Sequence, residues 1–260
     1  MIILNDLSFS YDNTPFLQHV NLHIDKGCFC AVMGPNGSGK STLLKLMVNL
    51  LTPAAGDIVV GGKSLHDYSQ RDLAKMIAYV PQREDIIFEF SVYDTVMMGR
   101  NPYQSRWGSA SADDDRLVCE TLERTHLAHL KDRLLSQLSG GELQRTLIAR
   151  AMVQQAPLML LDEPLANLDI AHKFEIMDIL AQLQRDTGTT LILILHDFPM
   201  ALQYANNALL MQNGQICHYG SCREVLTSDI IKPTFHLDER FVIDTEGNIR
   251  RKDLERRTEC

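Results

Sequence analysis

An apolar run, Cys28-Phe29-Cys30-Ala31-Val32-Met33, leads straight into Gly34-Pro35-Asn36-Gly37-Ser38-Gly39-Lys40-Ser41-Thr42. Beyond it Leu43, Leu44, Leu46, Met47 and Leu50 recur at helical spacing, and Pro53 is expected to end that helix. Strand, glycine-rich turn and helix in that order build a cradle for an anion. Gly37 and Gly39 let the backbone turn so that successive N–H groups converge. The helix adds its positive end, and Lys40 supplies a point charge for β- and γ-phosphates. The Ser41 hydroxyl is placed to bind Mg²⁺. The whole pattern, Gly-x-x-x-x-Gly-Lys-Ser between a strand and a helix, is the signature of a phosphate-binding loop.

A second apolar strand, Leu158–Leu161, ends in Asp162. A carboxylate there is costly unless something neutralises it, and a cation held among phosphates does so. Asp162 is therefore the expected Mg²⁺ partner, and Glu163, the next residue, the expected acceptor of a proton from an attacking water. Loop and carboxylates together predict a chain that binds and splits a nucleoside triphosphate.

The rest of the sequence fits a soluble enzyme. The 260 residues carry a net charge of −8, which disfavours a general nucleic-acid or anionic-membrane binder. Hydrophobic residues at 45% and charged residues at 22% are those of a globular chain rather than a disordered one. No apolar run is long enough to cross a bilayer, and the N-terminus lacks the pattern of a secretory signal. The six cysteines form no Cys-x-x-Cys pair, so reduced, inert thiols in a reducing cytosol are expected.

Strands alternate with helices along the chain. Residues 2–10 and 17–24 predict an antiparallel pair about the turn at Asp12-Asn13-Thr14-Pro15. Further strands are expected at 58–60, Ile77–Val80, Leu158–Leu161, 190–195 and 208–211, with a helix over 171–185. From about 83 to 155 the texture is helical, with helices at 92–98, 115–125 and 142–155 and a polar break at 101–115. The expected fold class is α/β, a parallel core (residues 1–82 and 156–226) with an antiparallel β subdomain, a helical insertion (83–155) and a C-terminal extension (227–260).

The segment Leu138-Ser139-Gly140-Gly141-Glu142 decides between uses of this core. Ser139 with Glu142 three residues on makes a capping box, and the two glycines leave the new helix end open to an anion. Yet the chain has one phosphate loop. Both sites make sense if one molecule's capped helix binds nucleotide held by a second molecule.

At this point the chain resembles the ATPase subunit of an ATP-binding cassette (ABC) transporter, from the first strand pair to about Leu226. Residues 34–41 resemble that family's Walker A motif, 158–163 its Walker B motif and 138–142 its signature motif. The resemblance implies the P-loop ABC-type fold, with the insertion as signature subdomain. It implies that Gln82 senses Mg²⁺ and the membrane partner, that His196 contacts the γ-phosphate and that Tyr11 stacks on adenine. The loop Ala166-Asn167-Leu168-Asp169 would cross the dimer seam, where the family often has Ser-Ala-Leu-Asp. Glu142 stands where Gln is common, and an acid suits a helix start.

The implied machine is a head-to-tail homodimer clamping two ATP and Mg²⁺. It sits at the cytoplasmic face of the membrane on integral-membrane permease subunits, and works indirectly with a substrate-binding protein. Val96-Met97-Met98-Gly99-Arg100-Asn101-Pro102-Tyr103, Asp113-Asp114-Asp115 and the tail from Val225 resemble the subfamily importing ferric siderophores, haem and cobalamin. The alternative for those residues is a helix end and loop selected for packing. Molybdate or another metal as cargo remains open. A non-transport cassette acting on ribosomes or DNA is disfavoured, because Leu138 lies only 97 positions after Ser41, leaving no room for a long coiled coil. The signature helix, and the lack of an Asn-Lys-x-Asp motif, count against a kinase or GTPase.

Overall fold

The computed structural model describes residues 1–12, 14–82, 89–104 and 110–251. Parts of the expected helical insertion (83–88, 105–109) and the charged tail from 252 lie outside the described residues. In chain order the elements are β1 (Ile2–Tyr11), β2 (Thr14–Ile24), β3 (Phe29–Met33), α1 (Lys40–Met47), β4 (Ala55–Val60), β5 (Lys63–Ser64), α2 (Gln70–Met76) and β6 (Ile77–Val80). Then come α3 (Val92–Met97), α4 (Ala112–Arg124), α5 (Gly140–Val153), β7 (Leu158–Leu161), α6 (Ile170–Thr187) and β8 (Thr190–Ile194). The chain continues with α7 (Phe198–Tyr204), β9 (Asn207–Gln212), β10 (Gln215–Ser221), α8 (Cys222–Val225), α9 (Ser228–Thr234), β11 (Phe241–Ile243) and β12 (Ile249–Arg251).

One compact unit comprises Ile2–Val59 and Ile192–Cys260. In it β1 and β2 pair antiparallel, Ile2 opposite Ile24 and Tyr11 opposite Thr14, as the alternating pattern predicts. β3 is buried along its whole length and pairs in parallel with β9, Cys30 opposite Asn207 and Met33 opposite Leu210. Burial on both faces is why its sequence is a continuous apolar run rather than an alternation. The Leu195 N–H donates to the Val32 carbonyl at 3.1 Å, which sets the chain entering His196 beside the end of β3. Helix α1 stops at Met47, well before Pro53, because Asn49 turns the backbone left-handed at φ 60°. Leu50, expected on the helix's apolar stripe, is therefore 61% exposed. Cys28 and Cys222 behave as packing residues: burial pushes the Cys28 thiol up to about 11 and the Cys222 thiol up to about 12.

The other unit comprises Met1 and Val60–Leu191. β6 and β7 pair in parallel from Ile77 opposite Leu158 to Val80 opposite Leu161. Helices α3, α4 and α5 enclose a core of their own that includes Val92, Val96, Val118, Leu122, Ala149 and Val153. Arg100 closes this packing. Its Nε donates to Asp114 Oδ1 at 2.7 Å, its guanidinium donates to the Val153 carbonyl at 3.0 Å, and it lies 4.0 Å over the Tyr103 ring. That partner holds the Asp114 carboxyl below the usual carboxylate range, helped by Ser111 at the N-cap of α4. So the Gly99-Arg100 stretch does a packing job in this fold, whatever kinship it also records.

Candidate nucleotide site

The phosphate loop keeps a shape only glycine permits at its first position. Gly34 sits at φ 150°, and a Cβ there would lie 2.2 Å from the Met211 carbonyl oxygen on β9. Gly39, at φ 103°, is the N-cap of α1. Lys40 is 6% exposed, and its ammonium donates to the Gly34 and Pro35 carbonyls, each at 2.9 Å. The charge is thus held over the loop by the loop's own backbone. Ser38 Oγ is buried with no hydrogen-bond partner among the described residues, an arrangement that costs about 1–3 kcal/mol unless a ligand completes it.

Tyr11, at the end of β1, is tied to the same helix. Its hydroxyl lies 3.1 Å from Thr42 Oγ1. Its ring meets Phe9 and Phe16 edge-on at centroid distances of 4.7 and 5.3 Å, yet 43% of the residue stays exposed. An aromatic ring fixed by neighbours, with area left over, suits stacking. His196 follows β8 and is exposed.

In the other unit Asp162 and Glu163 directly follow β7. Asp162 follows the fully buried β7, is 2% exposed, and its N–H donates to the Val80 carbonyl at 2.9 Å. The Tyr79 hydroxyl donates to Asp162 Oδ2 at 3.5 Å, a contact the sequence did not announce. Burial first, and then the Asp162 charge, push the Tyr79 phenol up, so it stays a proton donor to the carboxylate. Glu163 adopts φ 50°, a left-handed conformation that costs an ordinary residue about 1–2 kcal/mol. Its Oε2 accepts from Gln82 Nε2 at 2.7 Å. Two of the predicted catalytic side chains therefore touch, and Gln82 keeps its amide oxygen as an acceptor.

The signature segment is a reciprocal cap. Ser139 Oγ accepts from the Glu142 N–H at 3.3 Å, and Glu142 Oε2 accepts from the Ser139 N–H at 2.7 Å. Those bonds hold the Glu142 carboxyl below its usual range. They leave the N–H groups of Gly140 and Gly141, in the first turn of α5, without an intrahelical acceptor. Asn167 in the following loop sits at φ 59°, a conformation Asn tolerates better than most residues, which accounts for its presence where the family often has Ala. Asp169 is the N-cap of α6 and accepts from the His172 N–H at 2.9 Å. The His172 ring also lies against Gly141, a contact between distant segments that the sequence does not announce.

Among the described residues no helix is long and apolar enough to cross a membrane. None of their His, Cys, Asp and Glu side chains form a cluster of three able to hold a metal.

Comparison with known proteins agrees with this geometry. The ABC transporter family profile matches residues 17–166. The chain is 38% identical to the petrobactin import ATP-binding protein of Bacillus anthracis, over 92% of this chain and 88% of that protein. It is 36% identical to the iron(3+)-hydroxamate import ATP-binding protein of Bacillus subtilis, over 93% of this chain and 90% of that protein. Among solved structures, a metal-chelate type ABC transporter in an inward-facing conformation superposes with TM-score 0.82 and 31% identity, covering 97% of this chain and 98% of that one. The chain belongs to the ABC transporter family, as one of its ATP-binding, ATP-hydrolysing domains.

Proposed function

We propose that the chain powers import of a ferric siderophore through a separate membrane permease, closing head-to-tail on a second copy when ATP is bound. The observation that carries the dimer is the helix start at Ser139–Gly141: it is capped by its own side chains and still offers N–H groups to an anion. The same chain already has a phosphate loop. Similarity to the petrobactin and hydroxamate import subunits supports the cargo class.

In this reading the N–H groups of residues 36–42 and the Lys40 ammonium hold the β- and γ-phosphates, and Tyr11 carries the adenine. Ser41, Gln82 and Asp162 would hold Mg²⁺. All three offer oxygen, the donor that ion requires, and Asp162 is the buried carboxylate among them. The bound ion supplies positive charge to the phosphate oxygens. Glu163 accepts the proton of the attacking water, His196 steadies the γ-phosphate, and phosphate leaves from ADP. The Gln82 amide now bonds the carboxylate that must take this proton. A carboxylate has about four acceptor sites, so this bond orients Glu163 and still leaves it able to take the proton. The segment 83–155 is the part that docks on the permease at the cytoplasmic face, and its exposed Phe90 and Tyr103 offer apolar contacts for that purpose. A substrate-binding protein acts from the far side.

Light scattering on the Glu163→Gln chain tests the dimer. With Mg²⁺ and ATP the mass should double from 29.4 kDa, and ADP should leave it unchanged. A monomer at saturating ATP would remove the sandwich from the account.

A further inference from the structure

We infer that His172 is a positioning residue that locks the signature glycine Gly141 to the loop ending at Asp169, so that both meet the partner's nucleotide as one surface. This rests on the dimer reading above and adds to it a residue outside the family motifs.

The geometry is specific. Asp169 Oδ1 accepts from two groups of His172, the backbone N–H at 2.9 Å and ring Nδ1 at 2.8 Å. The ring is thereby held in one orientation, with Nδ1 as the protonated nitrogen. Its far side lies against Gly141: a Cβ on that glycine would come within 2.5 Å of His172 Cδ2 and 3.0 Å of Nε2. A side chain at the tip of a flexible stem could swing away from such a contact. This one is fastened by Asp169.

One turn further along each helix a second link runs parallel to the first. Arg145, 6% exposed, donates to Glu175 Oε2 at 2.5 Å, joining α5 to α6. With α5 and α6 fastened twice, any shift of the loop that ends at Asp169 is imposed on the Gly140 and Gly141 N–H groups. Binding of a partner's phosphate at those groups is reported back to Asp169 by the same path.

The test is a double-mutant cycle read as ATP-driven dimerisation, with every chain carrying Glu163→Gln to block hydrolysis. Contacting residues couple strongly, so His172→Ala should raise the ATP concentration for half-maximal dimerisation by about tenfold. Affinity of the monomer for a fluorescent ATP analogue, which depends on the phosphate loop, should not change. His172→Asn keeps a donor for Asp169 and should recover most of the loss. Gly141→Ala should damage dimerisation far more when His172 is present than in the His172→Ala chain, where the ring no longer fills the space. Equal damage in both backgrounds, or wild-type dimerisation by His172→Ala, overturns the inference and leaves the dimer reading intact. If the reference chain with His172 intact does not dimerise with ATP, both fall.

Discussion

Steady-state ATP hydrolysis by the Glu163→Gln chain should fall by about three orders of magnitude, while affinity for ATP stays within a factor of about two. Glutamine has the length of glutamate and tolerates the same left-handed backbone at φ 50°, so the substitution leaves the turn in place. Its amide can still meet Gln82, 2.7 Å away in the present structure. What it cannot do is accept a proton. The loss should therefore appear in turnover and not in binding, with ATP accumulating unhydrolysed in the dimer. Turnover within tenfold of the unmodified chain, in a phosphate-release assay, would move the proton acceptor elsewhere.

Lys40→Ala should weaken ATP binding by about a hundredfold, the equivalent of about 3 kcal/mol for a charged hydrogen bond. The ammonium bonds the Gly34 and Pro35 carbonyls at 2.9 Å each, so its removal also releases the loop from the shape that gathers the N–H groups. Both effects act in the same direction. Lys40→Arg should not rescue, because a planar guanidinium cannot replace a compact ammonium seated between those two carbonyls. Calorimetric titration with ATP measures it directly. Affinity within threefold of the unmodified chain would mean that Lys40 serves the loop's fold and not its ligand.

The parts of this site that lie in contiguous sequence were legible from the sequence. Residues 28–42 encode their own strand, turn and helix start, and Asp162 stands out because β7 before it is wholly apolar. The Ser139–Glu142 cap is a four-residue pattern and was equally plain. Contacts between distant segments were not. Tyr79 reaches Asp162 across 83 positions, and nothing near Tyr79 in sequence marks it. His172 meets Gly141 only because α5 and α6 pack.

The same limit shaped the fold. Helix α2 leaves no apolar stripe in the sequence, because only Leu73 of its seven residues is buried. β10 alternates poorly, being exposed or half-buried along its length, and α7, α8, α9 and the β11–β12 pair are too short to show a period. α1 was predicted too long because Leu50 continues the leucine spacing, while Asn49 before it sets the backbone that ends the helix. In sequence Arg100 carries only a resemblance to the iron-chelate import subfamily. Its burial against Asp114, and so its work inside the helical segment, depends on tertiary packing.

Transport in cells with and without the gene shows whether this subunit drives uptake of an iron chelate. The panel would hold ferric siderophores, haem, cobalamin, molybdate and manganese, with a Lys40→Ala copy as the inactive control. Loss of the gene should abolish uptake of a ferric siderophore, restored by the unmodified gene and not by the Lys40→Ala copy. Unchanged uptake of every siderophore, with loss of molybdate or manganese instead, would contradict it.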